Sequence, residues 1–117
     1  MTQKKVVYSE IALNKRKTIK KDIKDRYGKE RADKFSKHIS QTIAKLKQFP
    51  ELGSSMRNKY GLDCDYYVLF IEHNYFIYRI TDEMILILEI FNECEDFMRQ
   101  MFGIVTTQQE TLDYWDE

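Results

Sequence analysis

The stretch IFNECEDF, residues 90–97, places Glu93, Glu95 and Asp96 directly after the most apolar run of the chain. Carboxylates gathered at a strand end are positioned to move protons. The same residues also fit the first turn of a helix capped by Asn92. Carboxylates there gain about 0.3–1 kcal/mol from the helix dipole and the free amides, and Asn is a favoured cap. The helical reading is therefore the stronger one. Cys64, Cys94, His38 and His73 are zinc donors by type. They lack the close ligand spacing of a zinc site, so no metal is expected. No phosphate-cradling Gly-rich loop, nucleophile elbow or paired-carboxylate motif occurs, and no cofactor is expected.

The charge pattern is more informative than the net charge of zero. Residues 1–62 hold 17 Lys/Arg against 6 Asp/Glu, whereas residues 63–117 hold 2 against 13. A basic half set against an acidic half points to a polyanionic or acidic partner. Lys15, Arg16, Lys17, Lys20, Lys21 and Lys24 concentrate this charge on one predicted helix, while Arg57 and Lys59 add to it in a later connection. A solvated lysine-rich helix surface would give the same composition, since a basic patch is a footprint and not a site.

The elements that carry these residues follow from hydrophobic spacing. KKVVYS reads as a short strand, after which Ser9 caps a helix. Ala12, Ile19, Ile23 and Tyr27 recur at helical spacing with Arg16 on the same stripe, and Gly28 ends the helix. Ala32, Phe35, Ile39, Ile43 and Leu46 form a second stripe, closed by Pro50 and Gly53. MRNKYGLDCD reads as a polar connection. YYVLFIE, YFIYRIT and MILILEIF then form three strands joined at HN and DE, with the last one expected to be central and covered on both sides. Phe97, Met98, Met101 and Phe102 return to helical spacing before Gly103. The expected fold is one α+β domain of order β-α-α-β-β-β-α, a helical hairpin on a small mostly antiparallel sheet. It spans residues 1–103, followed by an acidic C-terminal tail over 104–117.

No run of about 18 apolar residues is present, so no membrane span is expected. The opening MTQKKVVYSE lacks the apolar core of a signal peptide. Two cysteines thirty residues apart, without CxxC spacing, suit a reducing cytoplasm.

The opening VVYSEIA, the hairpin ending AKLKQFPELG, the run NYFIYRITDEMILILEI and the following NECEDF together resemble the RelE/ParE superfamily of bacterial type II toxins. The resemblance covers residues 4 to about 103. It implies a small cytoplasmic toxin, often plasmid-borne, neutralised by a cognate antitoxin in a hetero-oligomer, with a homodimer as the other assembly. RelE-like members cut mRNA on the ribosome; ParE-like members bind DNA gyrase.

Carried over residue by residue, the resemblance makes Tyr75, Arg79 and Asn92 the candidates for a ribonuclease site, with Arg57 and Lys59 as further phosphate contacts. Such chemistry needs a group to take the 2′-hydroxyl proton, cations on the phosphate and an acid for the leaving oxygen. Where relatives carry Arg, Lys or His at the end of the last strand, this chain has Asn92, Glu93, Cys94 and Glu95. Arg79 is expected to pair with Glu72 or Glu89 across the sheet. The residues therefore fit a gyrase-directed or catalytically weak member better than a nuclease. The alternative is a non-toxic module that binds nucleic acid or protein through the basic hairpin.

Overall fold

A computed structural model describes residues 4–95. Strand β1 (Lys5–Tyr8) leads through Ser9 into helix α1 (Glu10–Tyr27), and α2 (Lys29–Leu46) follows after Gly28 alone. Strand β2 (Ser54–Ser55), helix α3 (Met56–Tyr60) and strands β3 (Tyr66–Ile71), β4 (Asn74–Ile80) and β5 (Met84–Asn92) complete the described chain. The sheet order is β1-β5-β4-β3-β2, with β1 parallel to β5 and every other pair antiparallel. The α+β class and the hairpin-on-sheet layout match the sequence expectation.

Local chemistry explains the helical hairpin. The Ser9 hydroxyl accepts the Ala12 N–H at 3.0 Å, removing one of the unpaired donors of the first turn. Gly28 sits at φ 97°, a backbone conformation that costs other residues and lets the chain reverse without a longer loop. Of the two helices, α2 carries the main apolar face: Ala32, Phe35, Ile39, Ile43 and Leu46 are all buried. Phe35, Ile39, Ile43 and Leu46 pack with Phe76, Tyr78, Ile85, Ile87 and Ile90 of the sheet. Each large side chain buried in this way contributes about 1.5–3 kcal/mol. On α1 only Ala12 is fully buried, Ile19 and Ile23 being half-buried and Tyr27 exposed.

The structure departs from the sequence reading in four places. Met56 is fully buried, so the segment read as a polar connection forms β2 and α3. Together with Val68, Ile77 and Phe91, Met56 builds a second small core on the sheet face away from the hairpin. The β3–β4 turn is Glu72–His73 and not His73–Asn74, because Asn74 is 3% exposed and pairs with Ile71 as a strand residue. Strand β5 lies between β1 and β4, while β4 is the central strand. Leu86 and Leu88 are only half-buried, so β5 is fully covered on the hairpin side alone. The expected last helix and the 104–117 tail lie outside the described residues.

The loop after α2 is pinned by Tyr78. Its hydroxyl donates to the Pro50 carbonyl at 2.8 Å and accepts the Gly53 N–H at 2.9 Å. A Cβ on Gly53 would stand 2.5 Å from the Val68 carbonyl oxygen, so only glycine fits there. Burial pushes the Tyr78 hydroxyl up to about 12, against a partial lowering by the Gly53 N–H. Tyr78→Phe should cost about 1–3 kcal/mol in urea unfolding, because two loop groups lose their partner. The folded-state value lies above the unfolded one of 10.0, so the folded protein holds this proton longer. That stability is fully present below pH about 10 and falls as pH rises towards 12. The loss should be absent from Tyr78→Phe when both proteins are unfolded across that range.

Candidate functional site

The three residues expected to form a ribonuclease site are split by the sheet. Tyr75 and Arg79 lie on β4, on the face away from the hairpin, with Ile77 of the second core between them. Tyr75 is half-buried, and its ring is 5.0 Å from that of exposed Phe70. Asn92 pairs with Asn74, which places it on the hairpin side. Its Oδ1 accepts the Cys94 N–H at 2.8 Å, while Glu95 accepts the Asn92 N–H at 2.7 Å. These two bonds close a turn over residues 92–95 at the end of β5, and the helix that Asn92 was expected to cap lies outside the described residues.

Arg79 is paired, but not with the expected partners. Its Nε donates to Asp65 at 3.1 Å. Register is the reason: Arg79 stands opposite Tyr66 and Leu86, next to the strand that Asp65 precedes, whereas Glu89 stands opposite Ile77. Glu89 instead meets Lys15 at 3.4 Å, and Glu72 meets His38.

The basic residues of α1 also separate into two sets. Lys15 donates to the Ile90 carbonyl at 2.9 Å and lies over the Phe91 ring. Arg16 donates to the Tyr8 hydroxyl at 2.7 Å, to the Ser36 carbonyl at 3.1 Å and to the Ser40 hydroxyl at 2.8 Å, tying α1 to β1 and α2. These two residues hold the fold together. Lys20 reaches Asp33 across the hairpin at 3.9 Å, and Lys21 pairs with Asp25 on its own helix at 3.2 Å. Lys17 and Lys24 are exposed, and no ion pair is formed by either among the described residues. Arg57 pairs with Asp63 at 2.9 Å, and Lys59 lies over the Tyr60 ring.

Sequence reasoning named basic residues on α1 together with Arg57 and Lys59, and named none individually on α2. Exposed Arg31, Lys34, Lys37 and Lys45 extend the basic surface along α2, and Lys47 follows at the end of the helix. The signal was present, since these lysines fall between the apolar positions of the α2 stripe. An open groove of about 580 Å³ between the end of α2 and β4, lined by Phe49, Pro50, Leu52 and Ile80, had no sequence signal. No group of three or more His, Cys, Asp or Glu residues able to hold a metal occurs among the described residues.

A helical hairpin with an exposed basic surface, laid on a mixed five-stranded sheet, defines a small α+β domain. A family profile described as "ParE toxin of type II toxin-antitoxin system, parDE" matches residues 6–97. The chain belongs to this family, within the RelE/ParE superfamily of toxins. A solved structure described as "Chromosomal ParDE TA system from P. aeruginosa" shares the fold. It has a TM-score of 0.63 and 18% identity, over 77% of this chain and 96% of that one. No curated protein matches this chain in sequence. Among the described residues no helix is long and apolar enough to cross a membrane.

The split among the basic residues can be measured. Arg16→Met should lower stability by about 1–3 kcal/mol, since it removes several charge-assisted bonds at once. Lys17→Glu and Lys24→Glu should each stay within about 0.5 kcal/mol of the parent in urea unfolding, as isolated surface changes do.

Proposed function

We propose that this chain is the toxin of a type II toxin–antitoxin module, stopping growth by binding DNA gyrase and neutralised by a cognate antitoxin. Membership of the ParE toxin family supports the toxin role. The observation that carries the choice of target is the division of Tyr75 and Arg79 from Asn92 by the sheet. General acid–base catalysis needs its groups within hydrogen-bond reach of one reacting centre, about 2.6–3.2 Å. Asp65 also occupies the Arg79 Nε, one of the donors a scissile phosphate would use.

Under this reading the antitoxin presents an acidic segment that folds along the hairpin. Lys17, Lys20, Lys24 and the α2 lysines attract it, and Arg57 and Lys59 extend the surface. The second reading is a nucleic-acid-binding module on the same hairpin, favoured by Lys17 and Lys24, which form no ion pair among the described residues.

Induced expression in a bacterium tests the target. Gyrase co-purifying with the protein, together with a DNA-damage response, is the expected result. mRNA cut at codons on arrested ribosomes would replace it with the translation-blocking mode, and unimpaired growth would favour the binding module. Charge reversal at Lys20 and Lys24 should weaken antitoxin binding and flatten its dependence on salt between about 50 and 200 mM. Unchanged affinity and slope would remove the hairpin as the binding face.

A further inference from the structure

The far end of the hairpin and the β3–β4 turn enclose a cavity of about 340 Å³ that the toxin reading does not use. Its apolar wall includes Ile19 and Ile23 of α1, both half-buried. Asp22, Arg26, Arg31, Glu72 and His73 also line it. Most of these charged groups are already matched. Asp22 meets Arg26 at 3.2 Å, Glu72 meets His38, and His73 meets Glu93 at 2.9 Å. Arg31 differs, since it forms no ion pair among the described residues. Its guanidinium lies over the Tyr27 ring, 5.6 Å from the centroid, and that ring is 65% exposed. The stacked pair therefore stands on the solvent side of the cavity.

These charges define what would fit. An incoming cation finds both lining carboxylates engaged. An anion finds one guanidinium without a counter-charge, beside an apolar wall. Stacking on a ring uses the flat face of a guanidinium and leaves its in-plane N–H donors, a fork that matches a carboxylate. Asp22 and Glu72 stand close enough to repel a second negative charge, which favours a monoanion over a dianion. A volume of about 340 Å³ lies at the small end of the range for ligand pockets, roughly 300–1,000 Å³.

We propose that this cavity is a binding site for a small monocarboxylate with an apolar body, its carboxylate accepting from the Arg31 guanidinium and its body resting on Ile19 and Ile23. The site is independent of whether gyrase or the ribosome is the toxin's target.

NMR titration of the full-length protein with benzoate, benzamide, phenyl phosphate and acetate tests it. The first three share a ring and differ in charge: a monoanion, a neutral amide and, above pH about 7, a dianion. Acetate keeps the head and lacks the body. Benzoate should give saturable shifts at Arg31 and at the Ile19 and Ile23 methyls, with a Kd on the order of 1 mM. Each of the other three should bind roughly tenfold more weakly. Benzamide loses the charge-assisted pair, phenyl phosphate is repelled by Asp22 and Glu72, and acetate loses the apolar contact. Arg31→Gln, a change at an exposed position, should leave the circular dichroism spectrum unchanged and weaken benzoate to the level of benzamide. Shifts spread over the hairpin lysines, or centred on the groove of Phe49 and Leu52, would overturn the proposal. So would benzoate binding that survives Arg31→Gln, equal or tighter binding of any other probe, or no shift with benzoate at about 20 mM.

Discussion

A single extra residue in β5 is the constraint on which the rest of the molecule depends. Tyr78 pairs with Ile87 and Ile77 with Glu89, so Leu88 has no opposite number and forms a β-bulge. Under strict alternation Glu89 would share a face with Ile85 and Ile87, and Ile90 would point the other way. The bulge lets Ile85, Ile87 and Ile90 all enter the core beneath the hairpin while Glu89 leaves it. A carboxylate buried there without a partner would cost several kcal/mol.

The bulge is held by α1. The Ser9 N–H donates to the Ile87 carbonyl and the Ser9 hydroxyl to the Leu88 carbonyl, both at 2.8 Å. The same hydroxyl caps the helix. Beyond Tyr8 the parallel strand ends, and Lys15 takes over as donor to the Ile90 carbonyl and partner of Glu89. One serine and one lysine thereby close the β5 edge that β1 is too short to cover. This explains why Lys15 is part of the fold although it sits on the same helix as the exposed Lys17 and Lys24.

The same geometry decides the chemistry. Phe91 follows Ile90 onto the far face to join Met56, Val68 and Ile77, and Asn92 returns to the hairpin side. A sheet one residue thick then stands between Asn92 and the Tyr75–Arg79 pair. Residues that look adjacent in a list of strand-end positions face opposite compartments, one apolar and aromatic, the other a polar cavity under the hairpin.

The sequence by itself determined the helical hairpin, its Ser9 and Gly28 boundaries, the strand content and the division of charge. These depend on residues within a few positions of one another, where periodicity and capping chemistry act. It carried the family resemblance for the same reason, since that resemblance rests on contiguous runs such as NYFIYRITDEMILILEI. Only the tertiary structure decided that Met56 is buried, that Arg79 meets Asp65, and that Arg16 and Lys15 are spent on the fold. Those outcomes depend on strand register, which shifts every partner when one residue is inserted. Nothing local to Leu88 announces the insertion. The bulge forms because burying three isoleucines and excluding Glu89 outweighs the one unpaired position it leaves in the ladder.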